Sequence, residues 1–239
     1  MAPRAIPSCV KAFRSLNIDQ AWFLGFTEKG LEKPINDFIG TNDYDNFIIA
    51  PDDLIPSQSA LDVVTDGLKR HMVFTGNCNM NTTNSRVNVR LSPVVGNHAF
   101  FMVTHRWPQI SKAMERFKLF TFPLPEELPG GDFQTYFMGF AFTGMRRKLW
   151  KEFPFKTFSN LFNHNGNGSD YLVSERLRRK GYRMFSNRNA FFYHLNAKSH
   201  FIIGRIEPRI VHIKGPNHDH FPIEYEKILS TWGKYDCSN

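Results

Sequence analysis

YDNFIIAPDDLIP, residues 44–56, is the stretch that decides the fold expected of this chain. Its apolar run FIIA, at positions 47–50, ends at Pro51, and Asp52 and Asp53 follow directly. A short apolar run bounded by turn residues is typical of a strand buried on both faces of a sheet. Taken alone, the aspartate pair is interpreted most simply as turn and N-cap residues before the helix that begins near Ser57. Two carboxylates at the end of such a strand also lie where open α/β sheets bind ligands, and they suit Mg²⁺ or Mn²⁺.

The composition is typical of a globular protein with a sizeable core. The chain has 239 residues, of which 41% are hydrophobic and 22% charged, enough for one large domain or two small ones. No apolar stretch approaches the roughly 20 residues that a membrane span needs, and the N-terminus lacks an apolar signal-peptide core. Cys9, Cys78 and Cys237 are widely spaced and form no CxxC pair. We interpret them as thiols of a reducing compartment and expect a cytoplasmic protein.

The net charge of +8 favours an anionic partner, such as nucleic acid, an acidic membrane surface or a phosphorylated small molecule. The positive charges are dispersed, and the densest cluster is the sequence RLRRK at positions 176–180. No pattern typical of a recognition helix or a zinc finger is present. The charge therefore narrows the class of partner without selecting one.

Hydrophobic periodicity predicts alternating helices and strands. In the first part of the chain we predict helices over 8–16 and 34–40, strands over 21–26 and 47–50, a helix from Ser57 that includes Leu68, and a strand at 72–74. In the second part we predict strands at 87–91, 133–143, 183–185 and 190–195, helices at 146–153 and 170–180, and loops at 77–84, 122–132 and 163–169. This order indicates an α/β sheet with right-handed crossovers.

Three segments, 32–57, 136–155 and 168–196, occur in an order that resembles the family 2 type of inverting glycosyltransferase with a GT-A fold. The matching residues are Asn36, Asp52, Asp53, Gly144, Gly168, Ser169, Asp170, Arg176, Leu177, Gly181, Tyr182 and His194. The resemblance covers roughly residues 20–200. It implies a single domain at 1–200 with a Rossmann-like mixed sheet flanked by helices and a missing or abbreviated first strand. Residues 201–239 would be a C-terminal extension that packs on the same domain.

The resemblance also implies roles for individual residues. Asp170 matches the catalytic base, and the residues that match the metal site are Asp52, Asp53 and His194. The residues that match the nucleotide-sugar site are Thr27, Glu28, Lys33, Asn36, Asp52 and Gly144. Simpler alternatives remain open, because Asp170 also fits an N-cap, His194 a histidine satisfied within the core, and Lys33 an ordinary surface residue.

The activity implied is transfer of a sugar, with inversion, from a nucleotide-diphosphate donor to an acceptor hydroxyl with Mn²⁺ or Mg²⁺. The expected partners are a UDP- or GDP-linked sugar and a glycan, lipid or protein-glycan acceptor, with no nucleic acid and no membrane span. The alternative is a catalytically degenerate GT-A protein that binds nucleotide-sugar or glycan without turnover. It is motivated by Ala50 and Ser169, which occupy positions where the family usually carries acids.

Overall fold

The structure is a computed structural model that describes residues 6–26, 29–79, 86–91, 122–157, 169–195 and 207–213. Within these ranges the α-helices are Pro7–Arg14 (α1), Glu32–Thr41 (α2), Gln58–Arg70 (α3), Arg147–Glu152 (α4) and Ser169–Arg179 (α5). The strands are Gln20–Leu24 (β1), Asn46–Ile49 (β2), Leu54–Ile55 (β3), Val73–Cys78 (β4), Asp132–Thr135 (β5), Thr143–Arg146 (β6), Met184–His194 (β7) and Arg209–Ile213 (β8). Short 3₁₀ helices lie at Lys29–Leu31 and Pro125–Glu127.

A mixed sheet forms the centre of the molecule, with the strand order β2-β6-β4-β7-β3 and with β5 also paired to β7. Only β4 and β7 are parallel among these pairs, and the others are antiparallel. The predicted mixed α/β architecture, with a sheet flanked by helices, is confirmed. The sheet contains more antiparallel pairing than a series of right-handed crossovers would produce.

Two apolar cores cover the two faces of this sheet. One contains side chains of α2, α4 and α5, namely Ile35, Ile39, Leu149, Trp150, Val173 and Leu177. The other contains side chains of α3, namely Ala60, Leu61, Val64 and Leu68. Successive residues of a strand point to opposite faces, so Phe47 packs against the first core and Ile48 against the second. The short apolar run at 47–50 therefore contributes to both cores.

The prediction of a strand buried on both faces is confirmed only in part. In the described part of the chain β2 pairs only with β6 and lies at the end of the sheet. Asn46 is exposed and Phe47 and Ile48 are only half-buried, while Ile49 is buried. A short apolar run does not distinguish a central strand from an edge strand that has helices on both faces. Among the described strands, none pairs with the other edge of β2.

The predicted strands at 133–143 and 87–91 also differ from the structure. The stretch predicted as one strand over 133–143 is divided into β5 and β6, because Phe140 and Phe142 adopt positive φ angles of 46° and 57°. The predicted edge strand at 87–91 forms only isolated bridges, from Val87 to Asn79 and from Val89 to Met138. Both valines are fully buried, so this segment is part of the interior.

The predicted short strands at 183–185 and 190–195 are a single strand, β7. Its pairing with β4 shifts register between Thr75 and Asn77, whose partners are Ser186 and Phe191. The intervening residues of β7 form a bulge that interrupts the apolar pattern. The helix before it, α5, ends at Gly181 with a φ of 79°, as the sequence predicts.

A second, two-stranded sheet is formed by β1 and β8 in antiparallel register. Residues of the predicted C-terminal extension therefore pair with a strand from the start of the chain, with Ala21 opposite His212. None of the helices in the described ranges has the length and apolar character that crossing a bilayer requires.

Candidate functional site

Asp52 and Asp53 occupy the tight turn between β2 and β3. Both are buried, with exposed fractions of 3% and 2%. The interpretation that they cap α3 is wrong, because Ser57 is the N-cap and its Oγ accepts the N–H of Ala60 at 3.3 Å. Burying a carboxylate is costly unless it is paired or bound to a cation, and Asp53 is paired with His194.

The turn is held against the C-terminal end of β7. Leu54 lies opposite His194 in the antiparallel pair of β3 and β7, and the N–H of Leu195 donates to the carbonyl oxygen of Asp53 at 2.9 Å. This register places the imidazole Nε2 of His194 2.8 Å from Oδ2 of Asp53. The His194 side chain is 23% exposed, and that of Asp53 is 3% exposed. The pair thus combines a buried carboxylate with a more exposed imidazole.

Asn79 lies beside this pair, immediately after β4. Its Oδ1 accepts the backbone N–H of His194 at 2.7 Å, and its Nδ2 donates to the backbone carbonyl of His194 at 2.8 Å. Its own carbonyl oxygen lies 3.3 Å from Nδ1 of His194. The sequence does not single out Asn79, because it falls in a stretch rich in Asn and Thr that predicts a loop.

Asp170 lies in the first turn of α5 and is half-buried. Its backbone carbonyl accepts the hydroxyl hydrogen of Ser174 at 2.7 Å, and Ser174 Oγ in turn accepts the N–H of Met138 at 3.1 Å. These two contacts attach the start of α5 to the segment between β5 and β6. The position of Asp170 in the fold is therefore fixed by buried hydrogen bonds.

The pKa of the Cys78 thiol is affected by both Asp53 and Asp170. Burial raises the pKa of the Cys78 thiol, and the negative charges of Asp53 and Asp170 raise that pKa further. Both carboxylates are therefore close enough to act on the same thiol. The raised pKa also keeps Cys78 protonated, which argues against a thiolate nucleophile at this site.

Oδ2 of Asp53 and Nε2 of His194 are at hydrogen-bonding distance, and both are atoms of the kind that could bind a divalent cation. An octahedral ion with ligands at about 2.1 Å separates neighbouring ligand atoms by about 3 Å, close to the 2.8 Å between Oδ2 and Nε2. No group of three or more His, Cys, Asp or Glu side chains in the described ranges has the geometry of a metal site. Two protein ligands are sufficient for Mg²⁺ or Mn²⁺ when waters and substrate phosphates complete the shell.

Three residues that the resemblance assigns to the nucleotide-sugar site make structural contacts in the fold. Both ends of the Asn36 amide are bonded to the backbone of Phe155, at 2.8 Å and 2.9 Å. Lys33 is exposed and pairs with Asp37 one helical turn later. Gly144 lies in the centre of the sheet, where any Cβ would clash with Leu68. The positions of Thr27 and Glu28 lie outside the described residues.

Two arginines of the described residues also have structural partners. Arg147 donates to Asp43 at 2.6 Å and to the carbonyl oxygens of Ile39 and Gly40 at the end of α2. Arg176 donates to the carbonyl oxygen of Pro154 at 3.2 Å. These contacts join helices on one face of the sheet, so the arginines contribute to the packing of the fold.

Two adjoining cavities lined by described residues have volumes of about 130 and 370 Å³ and lie between β1 and β2. The larger one is lined by aromatic side chains that include Phe38, Tyr44 and His212. Neither cavity borders Asp53, His194 or Asp170. The segments that follow Asn79 and His194 in the sequence, and the one that precedes α5, are largely outside the described ranges.

No protein-family model and no curated protein matches this chain, so the interpretation of the site depends on its own residues and geometry.

Proposed function

We propose that this chain is a metal-dependent glycosyltransferase of GT-A type that transfers a sugar, with inversion, from a nucleotide-diphosphate donor to an acceptor hydroxyl. The observation that carries the proposal is the 2.8 Å contact between Asp53 and His194. The sequence resemblance also assigns these two residues to a metal site. A strand-end carboxylate and a distant histidine that meet in this way would supply two ligands of a coordination shell once a cation replaced the hydrogen between them.

Asp53 Oδ2 and His194 Nε2 would hold the cation on the donor diphosphate, with Asp52 beside them in the same turn. The cation would supply Lewis-acid stabilisation of the negative charge on the leaving diphosphate. The low exposure of Asp53 strengthens its attraction for a cation, because charges interact more strongly where water is excluded. Because the His194 ring is more exposed than Asp53, the diphosphate would reach the cation from the side of this ring.

Asp170 would act as the general base. The acceptor oxygen forms a bond to the anomeric carbon while the bond from that carbon to the diphosphate oxygen breaks, and the acceptor proton passes to the Asp170 carboxylate. The start of an 11-residue helix favours the charged form of this carboxylate.

Lys33, Asn36 and Gly144 are omitted from the proposed donor site, because each has a structural role in the fold. The second candidate function is a GT-A protein that binds nucleotide-sugar or glycan without turnover. It is favoured by the two-residue metal pair, since Ala50 occupies a position where the family usually carries a further acid. The two candidates share the fold and differ only in catalysis.

The test is a panel of UDP- and GDP-linked sugars incubated with the purified chain and Mn²⁺, Mg²⁺ or EDTA. Release of nucleoside diphosphate that requires the metal and is abolished in Asp170→Asn supports the enzyme. Calorimetric binding of UDP or GDP with Mn²⁺ but without any turnover supports the second candidate. Absence of both turnover and binding across the panel rejects the two candidates together.

A further inference from the structure

We propose that the gap between the edges of β1 and β2 binds an extended apolar segment of a second polypeptide, which would join the two sheets as an additional strand. We call this gap the β1–β2 slot. It consists of the two adjoining cavities, and both are lined by Ala21, Phe23 and Ile48. Neither cavity borders Asp53 or His194, so the inference is independent of the proposed transferase activity.

The β1–β2 slot runs along the edges of the two strands and not over one face of them. The smaller cavity is lined by every residue from 18 to 23 and from 48 to 50, and the larger one by every residue from 46 to 48. Because successive residues of a strand point to opposite faces, a cavity above one face would contact alternate residues only. The unbroken runs on both strands therefore indicate that their backbone edges border the slot.

Neither of these edges is paired with a strand in the described part of the chain, where β1 pairs with β8 and β2 pairs with β6. The two strands are connected instead through Phe38 of α2. The centroid of its ring lies 5.9 Å from that of Phe23 on β1 and 6.2 Å from that of Phe47 on β2. An extended polypeptide matches such edges, because its N–H and C=O groups point alternately to both sides, as in complexes formed by strand addition.

The β1–β2 slot has an apolar wall on each of its two faces. Ile35 and Phe38 of α2 line it on one side, and Leu61 and Leu68 of α3 line it on the other. These side chains belong to the two cores that cover the faces of the central sheet. A strand in the slot would be buried on both faces, so its residues would be apolar at consecutive positions. Since β1 has five residues and β2 has four, the apolar run would have four or five residues.

The charge of the slot indicates what would flank this apolar run. Apart from His212, Asp19 is the only acidic or basic side chain among the described residues that line the two cavities. Asp19 is exposed, directly precedes β1 and accepts the hydroxyl hydrogen of Tyr44 at 2.6 Å. A carboxylate in this position attracts a positive charge. The partner segment is therefore expected to carry Lys or Arg beside its apolar residues.

The experiment uses the synthetic peptide acetyl-KVIVVK-amide as the probe. The matched control has the same side chains but carries N-methyl groups on its two central residues, which removes one N–H donor on each side of the strand. Calorimetric titration of the purified chain measures the affinity, and amide hydrogen exchange over residues 20–24 and 46–49 locates the bound peptide. We expect slower exchange in both ranges with the parent peptide. We expect the N-methylated peptide to bind at least about 10-fold more weakly, because main-chain hydrogen bonds supply affinity in strand addition.

Two variants of the chain test the position of the peptide. Ala21→Trp places a large side chain in the slot, because Ala21 lines both cavities. Ile210→Trp is the matched control on β8, since Ile210 is 39% exposed and lines neither cavity. We expect Ala21→Trp to abolish binding of the parent peptide and Ile210→Trp to bind it as the wild type does.

Equal affinities of the parent and N-methylated peptides for the wild-type chain overturn the inference, even if Ala21→Trp fails to fold. Absence of peptide binding to the wild type also overturns it, as does slower exchange that is confined to other strands. A dimer in sedimentation experiments that Ala21→Trp abolishes, without any peptide binding, would place a second copy of the chain in the slot and reject a peptide partner.

Discussion

Asp53 and His194 are 141 positions apart in the sequence, and their side chains meet with 2.8 Å between Oδ2 and Nε2. The contact is produced by the antiparallel register of β3 and β7, which places Leu54 opposite His194. A shift of this register by one residue would turn the imidazole to the other face of the sheet. The pairing of a two-residue strand thus determines whether the proposed metal site exists.

If Asp53 and His194 hold the same cation, their alanine variants are expected to be non-additive. Each single variant should weaken Mn²⁺ binding by at least about 10-fold. The double variant should lose less binding free energy than the sum of the losses in the two single variants. Calorimetric titration with Mn²⁺ measures these affinities. His212→Ala is the control, because His212 lies beside Tyr44 and the larger cavity. Additive losses in the double variant would contradict a shared ion.

We expect Asp170→Asn to reduce kcat for sugar transfer by about 10²- to 10⁴-fold, because the amide cannot accept the acceptor proton. Mn²⁺ affinity should stay at the wild-type value, since Asp170 is proposed as base and not as ligand. Steady-state transfer assays and Mn²⁺ titrations measure the two quantities. Glu175→Gln, on the same helix and paired with Arg178 and Arg179, should leave kcat unchanged. A fall in metal affinity without a fall in kcat would reject this assignment.

Asn36→Ala should destabilise the fold by about 2 kcal/mol, because the variant loses two hydrogen bonds to the backbone of Phe155 at about 1 kcal/mol each. Urea unfolding measures the change. Lys33→Ala, on the same helix, should cost much less, because its ion pair with Asp37 is on the surface. A large rise in donor KM with unchanged stability would instead restore the nucleotide-binding role that the resemblance assigns to Asn36.

Gly144→Ala should destabilise the chain by about 1–3 kcal/mol, because the added methyl group overlaps Leu68 in the packed core. Gly40→Ala is the matched control, since nothing lies within 4 Å of its Cβ position. In a helix this change should be stabilising by about 0.5–1 kcal/mol. Thermal unfolding of the two variants tests the difference. Comparable stabilities would show that Gly144 is not required for packing.

Asp132 should make stability depend on acidity. Burial acts to raise the pKa of Asp132, but the hydrogen bonds from Asn187, Arg70 and His71 outweigh it and hold the pKa below its usual value. Because the pKa of Asp132 is lower in the folded chain than in the unfolded chain, the ionised carboxylate stabilises the fold at pH values above the unfolded-state pKa of about 3.9. This stabilisation is lost as the pH falls through the pKa of the folded state. Urea midpoints between pH 7 and pH 2 should therefore fall less steeply in Asp132→Asn. An unchanged slope would contradict this role.

Local sequence determined much of the secondary structure. The bounds of α3 follow from Ser57 as N-cap and from apolar residues at helical spacing, and Gly181 ends α5 because it adopts a positive φ. The acidic turn after β2 was also predictable, because an apolar run followed by Pro51 and two aspartates specifies a strand that ends there. These signals depend on residues a few positions apart, which interact with one another within the same helix or turn.

Only the tertiary structure decided which of these residues share a site. His194 is bonded to Asn79 across 115 positions and to Asp53 across 141, and no local pattern reports such contacts. Asn36 and Gly144 match the expected motif in sequence, yet the fold commits them to Phe155 and Leu68. The reason is that strand register and the packing of helices on the sheet set which side chains meet, and both depend on the whole chain.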